Sequence, residues 1–309
     1  MVAPPQPALR SRTQPVGALM CAGSAASFGA MAIFGKLAYD AGVGVLTLLL
    51  VRFVLAGLIL SGANAVRRPR PRLPGRRALL TALGLGAIGY AAQSGLFFTA
   101  LTRIDAGLTA LVLYVYPALV TLGAVALGRD RFDRVRVACL LIAFAGLALV
   151  LFVGEPAHVE PLGVALALGA AVAYTGYILI SDTVLSERVD PLALSALVCV
   201  GAAVSFALAA GVSGEASLSF DPIGWLWLGA IGIVATVLAI VLFFGGLARV
   251  GPSRASMIST IEPLVTVALA AVVFGEALSA TQLLGGALVL ASVVLLQTLG
   301  RNPPATTDA

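Results

Sequence analysis

The stretch from Phe243 to Glu276, FFGGLARVGPSRASMISTIEPLVTVALAAVVFGE, decides the fold, because an almost parallel text, FFTALTRIDAGLTALVLYVYPALVTLGAVALGRD, runs from Phe97 to Asp130. A displacement of about 146 residues superposes the two, which is the mark of an internal repeat. Phe97, Phe98, Leu101 and Arg103 fall on Phe243, Phe244, Leu247 and Arg249; Pro117 falls on Pro263, Ala124 on Ala270 and Asp130 on Glu276. Each copy reads as an apolar span ending near an arginine, a very short loop, and a second apolar span with a proline at its centre. The chain is a duplicated membrane protein.

Composition agrees. Hydrophobic residues make up 60% of the chain and charged residues 11%, against about 25% charged in soluble proteins, and the mean hydropathy is +1.05. A transmembrane helix needs roughly 20 apolar residues. Ten such spans are expected at 16–38, 45–66, 77–102, 106–128, 135–154, 162–183, 191–212, 223–248, 252–275 and 280–300. The net charge of +5 does not point to nucleic acid, because the arginines sit in loops beside apolar spans, where they set orientation and meet anionic lipid.

The same inventory argues against an enzyme. Cys21, Cys139 and Cys199 fall singly in three different spans with no metal-ligand spacing, so they read as packing residues and no metal is implied. His158 is the one histidine, and H-E-x-x-H and G-x-S-x-G motifs are missing. Nor does a G-x-x-x-x-G-K-[ST] or G-x-G-x-x-G motif precede a helix, so direct nucleotide coupling and cofactors are not expected.

The loop charges orient the spans. Residues 1–15, with four prolines, read as a disordered cytoplasmic tail, followed by repeat one over 16–154, repeat two over 162–300 and a second cytoplasmic tail over 301–309. The first span reads as an uncleaved helix. With the N-terminus inside, sixteen of the nineteen basic residues lie on the cytoplasmic side. The other side is acidic, with Asp40, Asp105, Glu155, Glu160, Glu215, Asp221 and Glu276, as the positive-inside rule requires. Five spans per copy is an odd number, so the second copy enters the membrane from the opposite face. The expected fold is an all-α polytopic membrane protein of ten transmembrane helices in two inverted five-helix repeats, an arrangement typical of secondary transporters.

Candidate functional residues follow from what lipid tolerates. Pro117 and Pro263 each displace the carbonyl four residues earlier, belonging to Leu113 and Ser259. Freed carbonyls at membrane depth persist only beside protein or a wet cavity, so both prolines are expected to kink their helices around one central space and to shape a gate. Glu262, beside Pro263, lies near the bilayer centre, where a charge costs about 2.5 to 3.5 kcal/mol. It is expected to meet a proton or a substrate ammonium; Ser259 or Arg52 would be its structural partners. Gln93, Tyr116, Tyr174, Tyr177 and Ser259 fall on polar stripes at helical spacing and are expected to complete a moderately polar, aromatic substrate site.

The pairs Tyr116–Pro117 and Glu262–Pro263, each followed further on by an acid (Asp130; Gly275–Glu276), carry a resemblance. With Arg52 after the start of the second span, A-G-L-T-A-L over 106–111 and S-x-x-S-T-I-E-P-L over 256–264, the chain resembles the EamA family of the drug/metabolite transporter superfamily over about residues 16–300. Copy one has Arg129–Asp130 where that family more often shows Gly-Glu. The resemblance implies a multi-pass inner-membrane carrier, commonly an exporter of amino acids or related small metabolites, with a central cavity between its halves and protons as a possible coupling ion. Efflux of lipophilic cations is the competing expectation, since an acid beside tyrosines holds cations by charge and ring faces.

Overall fold

Long runs of Leu, Val, Ala and Ile surrounded by hydrocarbon leave a backbone one local way to pair its N–H and C=O groups, the helix. In a computed structural model, which describes residues 7–68, 74–129, 133–152, 160–186, 189–250 and 252–299, every regular element is helical. The spans are α1 (Pro7–Gly29 continued by Met31–Asp40), α2 (Val45–Val66), α3 (Arg76–Gly84, a π segment Leu85–Tyr90, and Ala91–Ala100), α4 (Ala106–Leu113 and Tyr116–Ala126) and α5 (Arg134–Phe152). The second half repeats them as α6 (Pro161–Ser186), α7 (Pro191–Ser213), α8 (Ile223–Gly229, π segment Ala230–Leu238, Ala239–Val250), α9 (Pro252–Ser259 and Glu262–Phe274) and α10 (Ala280–Leu299). Among the described residues nine helices are long and apolar enough to cross a membrane. The tenth, α5, has 19 residues and packs along α10.

Two details differ from the expected spans. Helix α1 begins at Pro7, inside the stretch expected as a disordered tail; proline suits the first turn of a helix because its missing N–H would be unpaired there. Helices α4 and α9 do not merely kink. Each stops and restarts, at Tyr114–Val115 and at Thr260–Ile261, with proline in the first turn of the second piece. The tail 301–309 and the loop residues Arg70, Arg72, Asp130, Arg131, Glu155, His158 and Arg188 lie outside the described residues.

The halves are related by exchange. Helix α1 packs on α8, α2 on α7, α3 on α6, α4 on α9 and α5 on α10. Swapping each helix for its counterpart in the other half turns the α1–α8 pair into α6–α3 and leaves the other three pairs unchanged. The contacts repeat atom by atom. A methyl on Gly17 would meet Arg249 and Val250, and one on Gly163 would meet Arg103 and Ile104; Gly23 faces Leu242 and Gly169 faces Leu96. These are the same contacts displaced by one repeat. Gly17 of α1 meets the last turn of α8, and Gly163, at the start of α6, meets the residues that follow α3.

Lipid tails are as apolar as leucine, so helix association rests on close packing and small residues. A Cβ on Gly86 would stand 2.1 Å from the Val198 carbonyl, and one on Gly201 would stand 2.2 Å from the Leu83 carbonyl. Backbone meets backbone there, and only glycine fits. Gly201→Ala is therefore expected to destabilise the α3–α7 contact by about 1–3 kcal/mol, while Gly211→Ala, where a methyl meets open space, leaves stability unchanged or raises it slightly. Unfolding temperatures of the two variants in detergent measure the contrast.

Candidate functional site

The broken helices are positioned where the two halves meet. The second piece of α9 begins at Glu262, so its N-terminal N–H groups present a positive end that favours a carboxylate in the first turn. The Ser259 carbonyl, which Pro263 deprives of its helical donor, accepts instead from the Tyr114 hydroxyl of α4 at 2.8 Å; the same oxygen lies 3.4 Å from Glu262 Oε2. Tyr114 is buried, so one tyrosine in the break of α4 satisfies the break of α9. Helix α1 closes the back: Thr266 donates to the Gly29 carbonyl at 2.9 Å, and a methyl on Gly29 would stand 2.7 Å from the Glu262 carbonyl.

These elements surround a cavity of about 560 Å³, within the range of small-molecule sites. Much of its wall repeats under the exchange of halves. Phe97 and Phe243, Phe98 and Phe244, Leu113 and Ser259, Tyr114 and Thr260, and Tyr116 and Glu262 are counterparts, and all line it. The cavity therefore lies on the axis that relates the halves. Gln93, Tyr116, Tyr174, Tyr177, Ser259 and Glu262, singled out from the sequence, all line it together with Pro263, whereas Pro117 does not. Tyr114, Tyr90 and Arg52 also line it. Five of the six tyrosines thus face one space, as a ladder. Ring centroids are 5.2 Å apart from Tyr90 to Tyr177, 5.9 Å on to Tyr174, 4.7 Å to Tyr116 and 5.6 Å to Tyr114. Among the described residues Glu262 forms no ion pair; Tyr114, rather than Arg52, is its polar neighbour.

The symmetry fails at the two ends. Towards the terminal end the cavity is walled by Ser181, Pro191, Ser195 and Gln297. The counterparts of Ser181 and Ser195 at the opposite end are Gly35, filled by the Phe98 ring, and Leu49, 1% exposed. A polar latch seals that end. Lys36 donates to Glu276 Oε1 at 2.7 Å and stands 3.7 Å from Asp105. Glu276 in turn accepts from the Ala106 and Gly107 N–H groups at 3.1 Å each, capping α4 from the other half. At the terminal end another tie, Arg67 to Asp190, has a half-exposed arginine and is worth at most about 1 kcal/mol. The Lys36–Glu276 pair is shielded, with the Glu276 side chain 8% exposed, and breaking such a pair by removing one partner costs about 3–5 kcal/mol. The cavity wall thus extends towards the terminal end, while the opposite end is filled by Phe98 and tied by the latch.

Known proteins bear on this geometry. The sequence pattern of the EamA-like transporter family matches residues 15–152 and again 161–298. The chain belongs to the EamA-like transporter family. An uncharacterized transporter of Archaeoglobus fulgidus is 27% identical over 216 residues, spanning 70% of this chain and 75% of that protein. The uncharacterized transporter YcbK of Bacillus subtilis is 27% identical over 268 residues, spanning 84% of this chain and 85% of its own. YwfM of the same organism is 30% identical over 222 residues, 71% of this chain and 73% of its own. A crystal structure of another protein superposes with a TM-score of 0.65 at 21% identity, covering 94% of this chain and all of that one, and shares the fold. As an EamA-like protein this chain is a transporter rather than an enzyme, and the two matched segments are its two inverted halves.

Tyr114→Phe removes the donor to the Ser259 carbonyl. An interhelical hydrogen bond in a membrane averages about 0.6 kcal/mol, but a buried acceptor left unpaired costs about 1–3 kcal/mol. The variant is expected nearer the larger figure, read as a lowered unfolding temperature, with Tyr116→Phe, whose hydroxyl has no such acceptor among the described residues, as the comparison.

Proposed function

We propose that this transporter moves a small amino acid or a related zwitterionic metabolite out of the cell by alternating access, its two inverted halves rocking around the axial cavity. The observation that carries the reading is Glu262, a carboxylate with no cationic partner among the described residues, placed at the break of α9 in a cavity of small-molecule size. A substrate ammonium or a proton supplies the missing positive charge. Gln93, Tyr116, Tyr174, Tyr177 and Ser259 supply polar and aromatic contacts, and the breaks at Pro117 and Pro263 let the half-helices shift without rebuilding a whole span. The membrane is the inner, plasma membrane, with both termini cytoplasmic on the arginine-rich face. The cavity then faces the cytoplasm, as an exporter needs for loading.

The tyrosine ladder with Glu262 favours a second reading, efflux of lipophilic cations through cation–π contacts. Accumulation of cationic dyes in cells with and without the protein separates the two.

Purified protein in liposomes is expected to catalyse counterflow of one or more labelled amino acids from a broad panel. If none moves in either orientation, the substrate assignment fails. Glu262→Gln is expected to lose any dependence on a pH gradient and to weaken exchange of solutes that carry an ammonium group. The latch gives an independent check: with native cysteines replaced by serine and Met31→Cys in the cavity wall, an impermeant maleimide labels from the terminal side. Adding Glu276→Gln increases labelling from the other side several-fold, in line with the loss of a shielded ion pair.

A further inference from the structure

We propose that Arg52 is the anion subsite of this cavity, taking the carboxylate of a zwitterion whose ammonium faces Glu262; the proposal rests on the amino-acid reading above and gives it a second anchor.

Arg52 lies in α2 about two turns beyond Val45, within the span and 1% exposed. A cation at such depth is costly, and what surrounds it does not neutralise it. Its guanidinium carbon stands 4.8 Å from the Phe53 ring centroid and 5.4 Å from that of Phe98, and Nε donates to Thr236 Oγ1 at 3.0 Å. Thr236 is held in turn by donating to the Ile231 carbonyl at 2.9 Å inside the π segment of α8. Among the described residues no carboxylate pairs with Arg52; its second neighbour within hydrogen-bonding reach is the Tyr90 hydroxyl, which is neutral. Two other shielded cations, Lys36 and Arg136, have carboxylates at 2.7 and 2.8 Å, so this fold does pair shielded charges where their role is structural. Arg52 instead borders the cavity beside Tyr90, which feels both Arg52 and Glu262.

The exchange of halves sharpens the point. Arg52 corresponds to Val198 and Glu262 to Tyr116, and all four line the cavity. The wall is nearly symmetric in shape and antisymmetric in charge, with one uncompensated cation from the first half and one uncompensated anion from the second. Such a site fits a solute that is itself a dipole. A guanidinium whose protein partners are all neutral matches a carboxylate bidentately.

The full chain in detergent, probed with α-amino acids, their amides and methyl esters, the deaminated carboxylic acids and the decarboxylated amines, tests this by ligand-induced rise in unfolding temperature. Wild type is expected to hold free acids at least about tenfold tighter than amides, the factor expected for a charge-assisted bond. Arg52→Gln levels that difference and Arg52→Lys keeps part of it. If wild type holds amides as tightly as acids, or Arg52→Gln keeps the preference, the subsite is wrong while amino-acid transport stands. If deaminated acids bind and amino acids do not, the subsite stands and the zwitterion reading falls. If only amines bind, or no probe binds, both fall. The wild-type comparison requires no variant to fold.

Discussion

A backbone carbonyl that loses its donor in hydrocarbon must find another, and the centre of this protein is arranged around that requirement. Pro263 strips the Ser259 carbonyl, and Tyr114, held in the matching break of α4, donates to it at 2.8 Å. The break of α9 is thus satisfied from the break of α4, so the two halves are joined at their interrupted helices. Their half-helix ends, freed from continuous pairing, become the wall of a cavity. The break that costs a hydrogen bond also places Glu262 at a half-helix N-terminus, the one location where a carboxylate is favoured within the span.

Duplication supplies the rest of the architecture. Because each half has an odd number of spans, the copies lie inverted, and the contacts of Gly17 with Arg249 and of Gly163 with Arg103 are one contact seen from opposite faces. A perfectly symmetric assembly would open to both sides or to neither. This one is asymmetric at its ends: Phe98 and the Lys36–Glu276 latch close one, while Ser195 and Gln297 border the cavity at the other. Exchanging the conformations of the halves would exchange the ends, which is how inverted repeats produce alternating access. Specificity has to come from the positions where the copies diverged, Arg52 against Val198 and Glu262 against Tyr116.

Much of this was legible from the residues. The displacement that lays Phe97 on Phe243 and Pro117 on Pro263 yields the spans, the duplication and the two prolines beside which α4 and α9 break; which helix pairs with which is read from the structure. The polar stripes bring Gln93, Tyr174, Tyr177 and Ser259 to the cavity because helical periodicity holds along those segments. It fails where the helix does. Tyr114, two residues before Tyr116, falls off the helical stripe that carries Tyr116, and only the interruption at 114–115 turns it inward. The π segments at Leu85–Tyr90 and Ala230–Leu238 shift the phase of α3 and α8 by wide turns that no residue type announces. Arg52 reads from sequence as a partner for Glu262; that the two charges stay apart is a fact of tertiary placement.

Spin labels on exposed positions in opposite halves test the account most directly: one pair at Thr102 and Glu215 on the latch end, the other at Arg68 and Arg254 on the terminal end, with distances measured in liposomes before and after addition of a transported solute. The account predicts opposite changes, the latch pair moving apart as the terminal pair closes. Distances that rise or fall together, or that do not change during transport, would contradict it.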